Sequence, residues 1–281
     1  MTAFFSNTRP GKNVTCNDVT FELPILYFRD DFFGLYFTAD FGKVRAILPS
    51  DNLHPVVLPN GRAIIGIAGY NYRDTTIGPY GEIPVGIPVV FNKKMSRLSS
   101  VYSLIKESNY PGFGVLVQHL PVTKINARDA GRGEWGYTKF VADMKFRITP
   151  EYFQCSMSEK EEHILDLHTP KQGFKLMDTK PLTSYSVKDQ QLIKTVIKQQ
   201  GVKRMAINPK GAFVKLGNHP VSESIKALDI SEKPFMSFYY IERSGILPAG
   251  EVIEKEVRPF DGYQGEDREA IFETLYTDGD V

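Results

Sequence analysis

One stretch of the chain matches a motif associated with nucleotide phosphates. Residues 131–136 read Gly-Arg-Gly-Glu-Trp-Gly, which fits the pattern Gly-x-Gly-x-x-Gly. In dinucleotide-binding folds this pattern follows a buried apolar strand and begins a helix, so that helix amides meet the pyrophosphate. Here the preceding residues 124–130 are polar, and a strand-like alternation follows. We therefore expect these glycines to serve a purpose other than nucleotide binding.

The histidines form no recognisable metal site. His163 and His168 are five residues apart, whereas two ligands on one face of a helix are four apart. Acidic residues nearby make a metal conceivable, but a charged surface segment is the simpler interpretation. No metal and no organic cofactor are expected.

The composition is that of an ordinary globular protein. Of 281 residues, 42% are hydrophobic and 24% charged, and the net charge is +1. Such a balance lacks the basic surplus of nucleic-acid-binding proteins.

Residues 63–70 and 83–91 are the longest nearly apolar stretches, far short of the ~18 residues of a membrane helix. Without a signal-like N-terminus, and with only Cys16 and Cys155, the chain is expected to be cytoplasmic.

Alternating patterns dominate the chain and predict strands. In residues 137–148, Phe140, Met144 and Phe146 share one face, while Lys139 and Lys145 share the other. Prolines 84 and 88 predict an edge position or an irregular path for a strand in 83–91. Further strands are predicted at 61–72, 114–120, 212–216 and 234–242.

Helix signals are fewer. Ser186 and Gly201 would cap a helix over residues 187–200. Shorter helices are predicted at 40–48, 94–108 and 222–228. Residues 251–281 carry ten acids against three bases, which predicts a surface arm, partly disordered.

Three segments, read together, resemble the acetoacetate decarboxylase family. The first is Thr38-Ala39-Asp40, followed by a short helix and Ile47-Leu48-Pro49. The second, residues 72–91, contains Gly-Pro-Tyr-Gly-Glu-Ile-Pro, and the third, residues 131–140, reads Gly-Arg-Gly-Glu-Trp-Gly-Tyr-Thr-Lys-Phe. A weaker fourth match is Leu-Pro-Ala-Gly-Glu-Val-Ile, at residues 247–253. The resemblance spans about residues 32–253.

The resemblance implies two catalytic residues. Lys139 matches the first of the family's paired lysines, which forms a Schiff base with the substrate ketone, and Glu82 matches the family's active-site glutamate. The predicted substrate-binding residues are Arg29, Tyr80, Arg132, Trp135, Tyr137 and Phe140. Arg29 is the nearest candidate for a family arginine, although a gap-free alignment puts Asp30 at that position.

The chain also departs from the family's pattern. Phe140 replaces the second lysine, Thr138 replaces the proline before the first, and Gly133 replaces the glutamate after Gly-Arg. An additional stretch, residues 93–112, could wall or cover the pocket. The lost second lysine and the additional stretch indicate a substrate other than acetoacetate itself.

The implied chemistry needs an uncharged amine. An ordinary lysine, with a pKa of ~10.4, is protonated at pH 7. Burial or a nearby cation can lower this pKa, so that the amine becomes neutral. Without the second lysine, we expect Trp135, Tyr137 and Phe140 to bury the amine, with Arg132 and Lys145 as possible substitute cations.

Three functions stay open at this stage. The first is decarboxylation of a β-keto acid through a lysine iminium. The second is an aldol condensation and dehydration that joins a keto acid such as pyruvate to an aldehyde. The third is small-molecule binding without catalysis.

The family implies an α+β, β-dominated fold, a cone-shaped closed barrel with a flanking sheet and few helices. It also implies a homo-oligomer that takes a small keto acid and neither nucleic acid nor membrane. We predict one domain over residues 1–281, with its core at 32–253 and the acidic arm at 254–281.

Overall fold

Strands make up most of the computed structural model, which describes residues 3–6, 8–9, 11–16, 19–94, 96, 99, 110–176 and 180–277. A short 3₁₀ turn (Ala3–Phe5) comes before the strands. In chain order the strands are β1 (Lys12–Cys16), β2 (Val19–Leu23), β3 (Ile25–Ala39), β4 (Leu53–Pro55), β5 (Ala63–Thr75), β6 (Tyr80–Glu82), β7 (Val85–Phe91), β8 (Phe113–His119), β9 (Asp143–Ile148), β10 (Tyr152–Glu159), β11 (Glu162–Pro170), β12 (Phe174–Lys175), β13 (Leu182–Lys188), β14 (Gln191–Ile207), β15 (Phe213–Leu216), β16 (Met236–Leu247), β17 (Glu251–Lys255) and β18 (Phe272–Tyr276).

Seven of these strands close into a barrel. The order around it is β7–β8–β13–β14–β16–β3–β5, and a short pairing of β5 with β7 completes the circle. Only β8 and β13 run parallel, and the other neighbours are antiparallel. The predicted β-dominated closed barrel is confirmed.

A second sheet covers one side of the barrel, in the order β15–β11–β10–β9–β18. β3 and β5 are long and buried on both faces, so they serve two apolar cores. Phe33 of β3 faces outward and stacks on Phe153 of the second sheet, with ring centres 4.9 Å apart. Phe32, one residue earlier, faces inward and stacks on Tyr70 at 4.0 Å. Aromatic side chains therefore line the inside of the barrel as well as the interface between the two sheets.

Three α-helices occur in the described part of the chain. The first, α1 (Phe41–Ile47), lies at its predicted position, and Asp40 caps it by accepting a hydrogen bond from the amide of Lys43 at 2.8 Å. The second, α2 (Ile125–Ala130), continues into one π-helical turn (Gly131–Trp135). The third, α3 (Pro220–Lys226), lies close to its predicted position. The predicted helix at 94–108 falls almost wholly outside the described residues.

The prediction of a helix over residues 187–200 is wrong. These residues form the end of β13 and the first half of β14, joined as a hairpin with Lys188 opposite Gln191. Asp189 and Gln190 make the turn, with φ of +50° and +57°. Two consecutive positive φ values are typical of the tight turn that joins antiparallel strands, so the cap-like residues belong to a hairpin.

Two smaller expectations also need correction. β7 is not an edge strand, because it lies between β8 on one side and β4 and β5 on the other. Its path is irregular, as the second alternative predicted, since its register with β8 shifts between Val85 and Gly86. Both prolines line the barrel cavity. The acidic C-terminal stretch is at the surface, but it carries two strands. There β17 pairs with β14, and β18 runs parallel to β9.

Candidate active site

Lys139 lies on a short irregular segment between the π turn and β9. The amide of Leu120 donates to Thr138 O at 3.1 Å, and the amide of Val122 donates to Phe140 O at 2.8 Å. Arg132 Nε adds a 2.6 Å hydrogen bond to the carbonyl of Lys139 itself. The backbone of Lys139 is thus held on both sides and at its own carbonyl.

The side-chain nitrogen of Lys139 pairs with Glu82 inside the barrel. The two side chains lie 2.7 Å apart, from Nζ to Oε2. Lys139 is 5% exposed and Glu82 6%. The other carboxylate oxygen of Glu82 accepts a hydrogen bond from Tyr72 at 3.3 Å. The alternation predicted that Lys139 and Lys145 share one face of a strand, but Lys139 is buried whereas Lys145 is exposed.

A cavity of about 130 Å³ opens beside this pair in the barrel interior. Its charged wall residues are Lys139, Glu82 and Arg243, and the rest of its wall is mainly aromatic and aliphatic. Those other residues are Tyr27, Phe32, Tyr36, Gly66, Ala68, Tyr70, Tyr72, Pro84, Gly86, Pro88, Val115, Val117, Leu120, Tyr137, Leu182, Ser184, Ile197, Phe238 and Leu247. Such a cavity can hold a small molecule with one polar end.

Tyrosines surround the amine. Nζ of Lys139 lies 5.8 Å from the ring centre of Tyr80 and 6.0 Å from that of Tyr137. Tyr137 lines the cavity, and burial raises its pKa to about 12. Tyr80 is outside the cavity wall and shares a 3.1 Å hydrogen bond with Tyr27. These phenols stay protonated at neutral pH, so they add donors to the site but no charge.

Arg243 lines the cavity but is not among the site residues predicted from the sequence. It is 3% exposed, and its Nη1 lies 2.6 Å from Oδ2 of Asp30. Burial raises the pKa of Asp30 to about 6, against the opposing charge of Arg243. The other carboxylate oxygen of Asp30, Oδ1, is buried with no hydrogen-bond partner among the described residues. The two residues face each other in the register of β3 and β16, in which Arg243 is opposite Asp30.

Arg29 does not reach this cavity. Its side chain is exposed and lines a separate surface cleft with Arg73 and Lys171. The register is irregular in β3 on either side of Arg29 and in β16 on either side of Arg243. Arg243 lines the barrel cavity instead, and Asp30, which lines the surface cleft, is buried against it. Strand irregularities of this kind re-aim side chains.

Three other predicted residues support the site from outside the cavity wall. Arg132 donates to the carbonyls of Lys139 and Gln264, so its guanidinium holds backbone. Trp135 is buried against Tyr137, with ring centres 6.0 Å apart. Phe140 points the other way, into the core between the two sheets, where its ring lies 4.9 Å from that of Tyr263.

The backbone and its close neighbours explain why the three positions of the motif at 131–136 are glycine. A Cβ on Gly131 would lie 2.5 Å from Cδ and Cε of Lys139, and one on Gly133 would lie 2.2 Å from Cβ of Cys16. Gly136 has φ of +65°, and a Cβ there would lie 2.4 Å from the carbonyl of Val187. Gly131 therefore makes room for the lysine, and Gly136 permits the turn that leads to it.

The remaining chemistry-bearing residues are dispersed. In the ranges that the structure describes, no three His, Cys, Asp or Glu residues are arranged to hold a metal ion. Cys16 and Cys155 are both unpaired thiols. Lys145 is exposed and lies 3.5 Å from Glu273, so it does not act on Lys139. No helix in the described residues is long and apolar enough to cross a membrane.

Fold and site together define a class, a closed barrel that buries a lysine–glutamate pair beside a small cavity. The family model for acetoacetate decarboxylase matches residues 18–257, most of the chain. The chain therefore belongs to the acetoacetate decarboxylase family. No curated protein matches it.

Solved structures share the fold at low identity. Acetoacetate decarboxylase from Legionella pneumophila is 17% identical, with a TM-score of 0.64 over 89% of this chain and 94% of that one. The enduracididine biosynthesis enzyme MppR, complexed with pyruvate, is 11% identical, with a TM-score of 0.59 over 83% and 91%. An acetoacetate decarboxylase-like enzyme from Sphingomonas wittichii RW1 is 11% identical, with a TM-score of 0.56 over 82% and 93%.

Proposed function

We propose that the protein is a carbon–carbon lyase that decarboxylates a β-keto acid through a Schiff base at Lys139. The observation that carries this proposal is the 2.7 Å contact of Lys139 Nζ with Glu82 at the edge of a largely apolar cavity. An amine attacks a carbonyl only when it is neutral, and a carboxylate within hydrogen-bond distance can take its proton. The pair thus contains the nucleophile and its proton acceptor.

Lys139 and Glu82 account for the proton movements up to the iminium, and the proton that the α-carbon gains afterwards comes from solvent. Nζ adds to the ketone carbon, and the hydroxyl of the carbinolamine leaves as water with a proton from Glu82. The iminium then accepts the electron pair of the bond to the carboxylate, carbon dioxide leaves and an enamine remains. Protonation of the α-carbon and hydrolysis release the ketone and restore the amine. Overall, one β-keto carboxylate and one proton become one ketone and carbon dioxide.

Borohydride trapping tests the proposal. The protein is incubated with acetoacetate or 3-oxohexanoate, reduced, and digested for peptide mass mapping, while released carbon dioxide is measured in parallel. We expect one adduct, on Lys139, which disappears in Lys139→Ala. Lys203→Ala is the matched control, because Lys203 is 4% exposed, about as buried as Lys139, but does not line the cavity. It should leave the adduct on Lys139 unchanged.

The absence of any adduct on the folded protein would contradict the proposal. The protein would then be a binder of small molecules that keeps the family's barrel without its covalent chemistry. An adduct on Lys203 instead of Lys139 would contradict the assignment of the nucleophile.

Aldol condensation followed by dehydration is the second candidate. Glu82 touches both Nζ of Lys139 and the hydroxyl of Tyr72, so two groups are placed to move a proton α to an iminium. One structure of MppR, with a TM-score of 0.57, contains a condensation product of pyruvate and imidazole 4-carboxaldehyde. An adduct of pyruvate on Lys139, with no carbon dioxide from β-keto acids, would favour this candidate.

A further inference from the structure

Arg243 is a second buried cation in the wall of the cavity that Lys139 also lines. Its guanidinium carbon lies 5.0 Å from the ring centres of both Phe32 and Tyr70, and the residue lines the same cavity as Lys139. A buried ion pair contributes little net stability compared with apolar residues of similar size. Its place in the cavity wall therefore points to a role in binding.

Much of the hydrogen-bonding capacity of Arg243 is unused. Nη1 donates to Asp30 at 2.6 Å, and Nε donates to Gln199 Oε1 at 3.0 Å. These are the hydrogen bonds that the structure gives its guanidinium within the described ranges, whereas a guanidinium carries five N–H donors. Two parallel donors of a guanidinium match the two oxygens of a carboxylate.

Asp30 sets the charge that a ligand meets at Arg243. Because the carboxylate of Asp30 already balances the guanidinium, an arriving anion finds oriented donors rather than an uncompensated positive charge. This balance suits a carboxylate that must leave as carbon dioxide, since a full positive charge would stabilise the ground state more than the transition state.

We propose that Arg243 binds the carboxylate of the substrate while Lys139 attacks its carbonyl, and that the rest of the cavity selects an uncharged substituent. The inference rests on the proposed function. The substrate class is then a keto monocarboxylate with a compact hydrocarbon group. A second carboxylate would be buried among residues such as Val115, Val117 and Phe238 without a partner, which is unfavourable.

A double variant tests the role of Arg243 without leaving one buried charge unpaired. Asp30→Asn with Arg243→Gln removes both charges at nearly constant volume. Borohydride trapping on Lys139 is then compared for acetoacetate and for pentan-2-one, a neutral ketone of similar size. We expect trapping of acetoacetate to fall about tenfold or more, while trapping of pentan-2-one stays unchanged.

The neighbouring pair of Asp31 and Arg73 provides the matched control. Arg73 Nη2 lies 2.6 Å from Asp31 Oδ1 on the same two strands that carry Asp30 and Tyr72, but neither residue lines the barrel cavity. Asp31→Asn with Arg73→Gln should change trapping of neither ketone.

The outcomes separate this inference from the proposed function. An equal loss for both ketones, or no loss for acetoacetate, would overturn the role of Arg243. 3-Oxopentanedioate carries a second carboxylate. If the unaltered protein is trapped with it as efficiently as with acetoacetate, the cavity does not select an uncharged substituent. No trapping of any ketone by the unaltered protein would instead contradict the proposed function.

The single variant Asp30→Asn gives a second measurement. Removal of the counter-ion leaves Arg243 with its full charge, so acetoacetate should bind more tightly while the turnover number falls. A merely structural role of the pair would weaken binding and turnover together.

Discussion

Glu82 touches both the candidate nucleophile and a phenol, through different oxygens. Glu82→Gln keeps the size of the side chain but cannot carry a proton. Because general acid–base catalysis contributes about 10²–10⁴-fold to rate, we expect adduct formation on Lys139 to slow about a hundredfold. The measurement is the time course of borohydride-trapped adduct with acetoacetate.

Tyr72→Phe is the control for position. It removes the 3.3 Å hydrogen bond to Glu82 but leaves the 2.7 Å contact with Lys139. The rate should change by less than tenfold. An unchanged rate in Glu82→Gln would show that Glu82 only positions the amine.

The polar lining of the cavity was only partly predictable. The segments around Glu82 and Lys139 carry recognisable motifs, and the structure brings these two residues into contact. The burial of Asp30 against Arg243 depends on irregular register in two strands, and the two residues are 213 positions apart in the chain. No local pattern marks that pairing. The sequence analysis therefore predicted Arg29 as a substrate-binding residue and did not identify Arg243.

The hairpin of β13 and β14 places two non-glycine residues at positive φ. Asp189 has φ of +50° and Gln190 of +57°. Left-handed backbone costs an L residue roughly 1–2 kcal/mol, and glycine avoids this cost. Gln190→Gly should therefore raise the free energy of unfolding by about 1 kcal/mol, measured by urea denaturation.

Gln191→Gly is the comparison, one residue further along. Gln191 begins β14 and pairs with Lys188, so glycine there should lower stability. If both glycine variants destabilise the protein equally, the turn is not strained at Gln190.

The same hairpin explains why a helix was predicted in its place. Ser186 and Gly201 resemble helix caps, and the apolar residues between them fit a helical face about as well as a strand. The structure buries Leu192, Ile193 and Thr195 instead. Burial against the rest of the barrel decides between two patterns that local sequence leaves nearly equal.

At the scale of the whole molecule, His119 links stability to pH. It is 6% exposed and lies 2.8 Å from the hydroxyl of Ser224 on α3, and its Nδ1 has no partner among the described residues. Burial first, and the charge of His219 second, lower the pKa of His119 to about 4. An unfolded chain, with a histidine pKa of ~6.5, binds this proton more readily.

Stability should accordingly be lost as pH falls through the interval from about 6.5 to 4. The contribution of His119 to that loss is about 3 kcal/mol. His119→Gln should show a smaller drop in unfolding free energy between pH 7 and pH 4 by about that amount. Identical drops in both proteins would mean that His119 is not the responsible group.

The expected homo-oligomer and the single-domain organisation stay predictions. Analytical ultracentrifugation would test the first, and the cooperativity of urea unfolding the second. Several large apolar side chains are exposed on the described surface, among them Ile207 and Leu275.

The hydrogen bonds of Arg132 have a consequence for how the protein is made. This guanidinium holds the carbonyl of Lys139 and also the carbonyl of Gln264, a residue translated about 125 positions later. At roughly 5–20 residues per second, a ribosome needs roughly 6–25 s to cover that interval. The nascent chain thus carries the lysine for several seconds before the residue that completes its support has been synthesised.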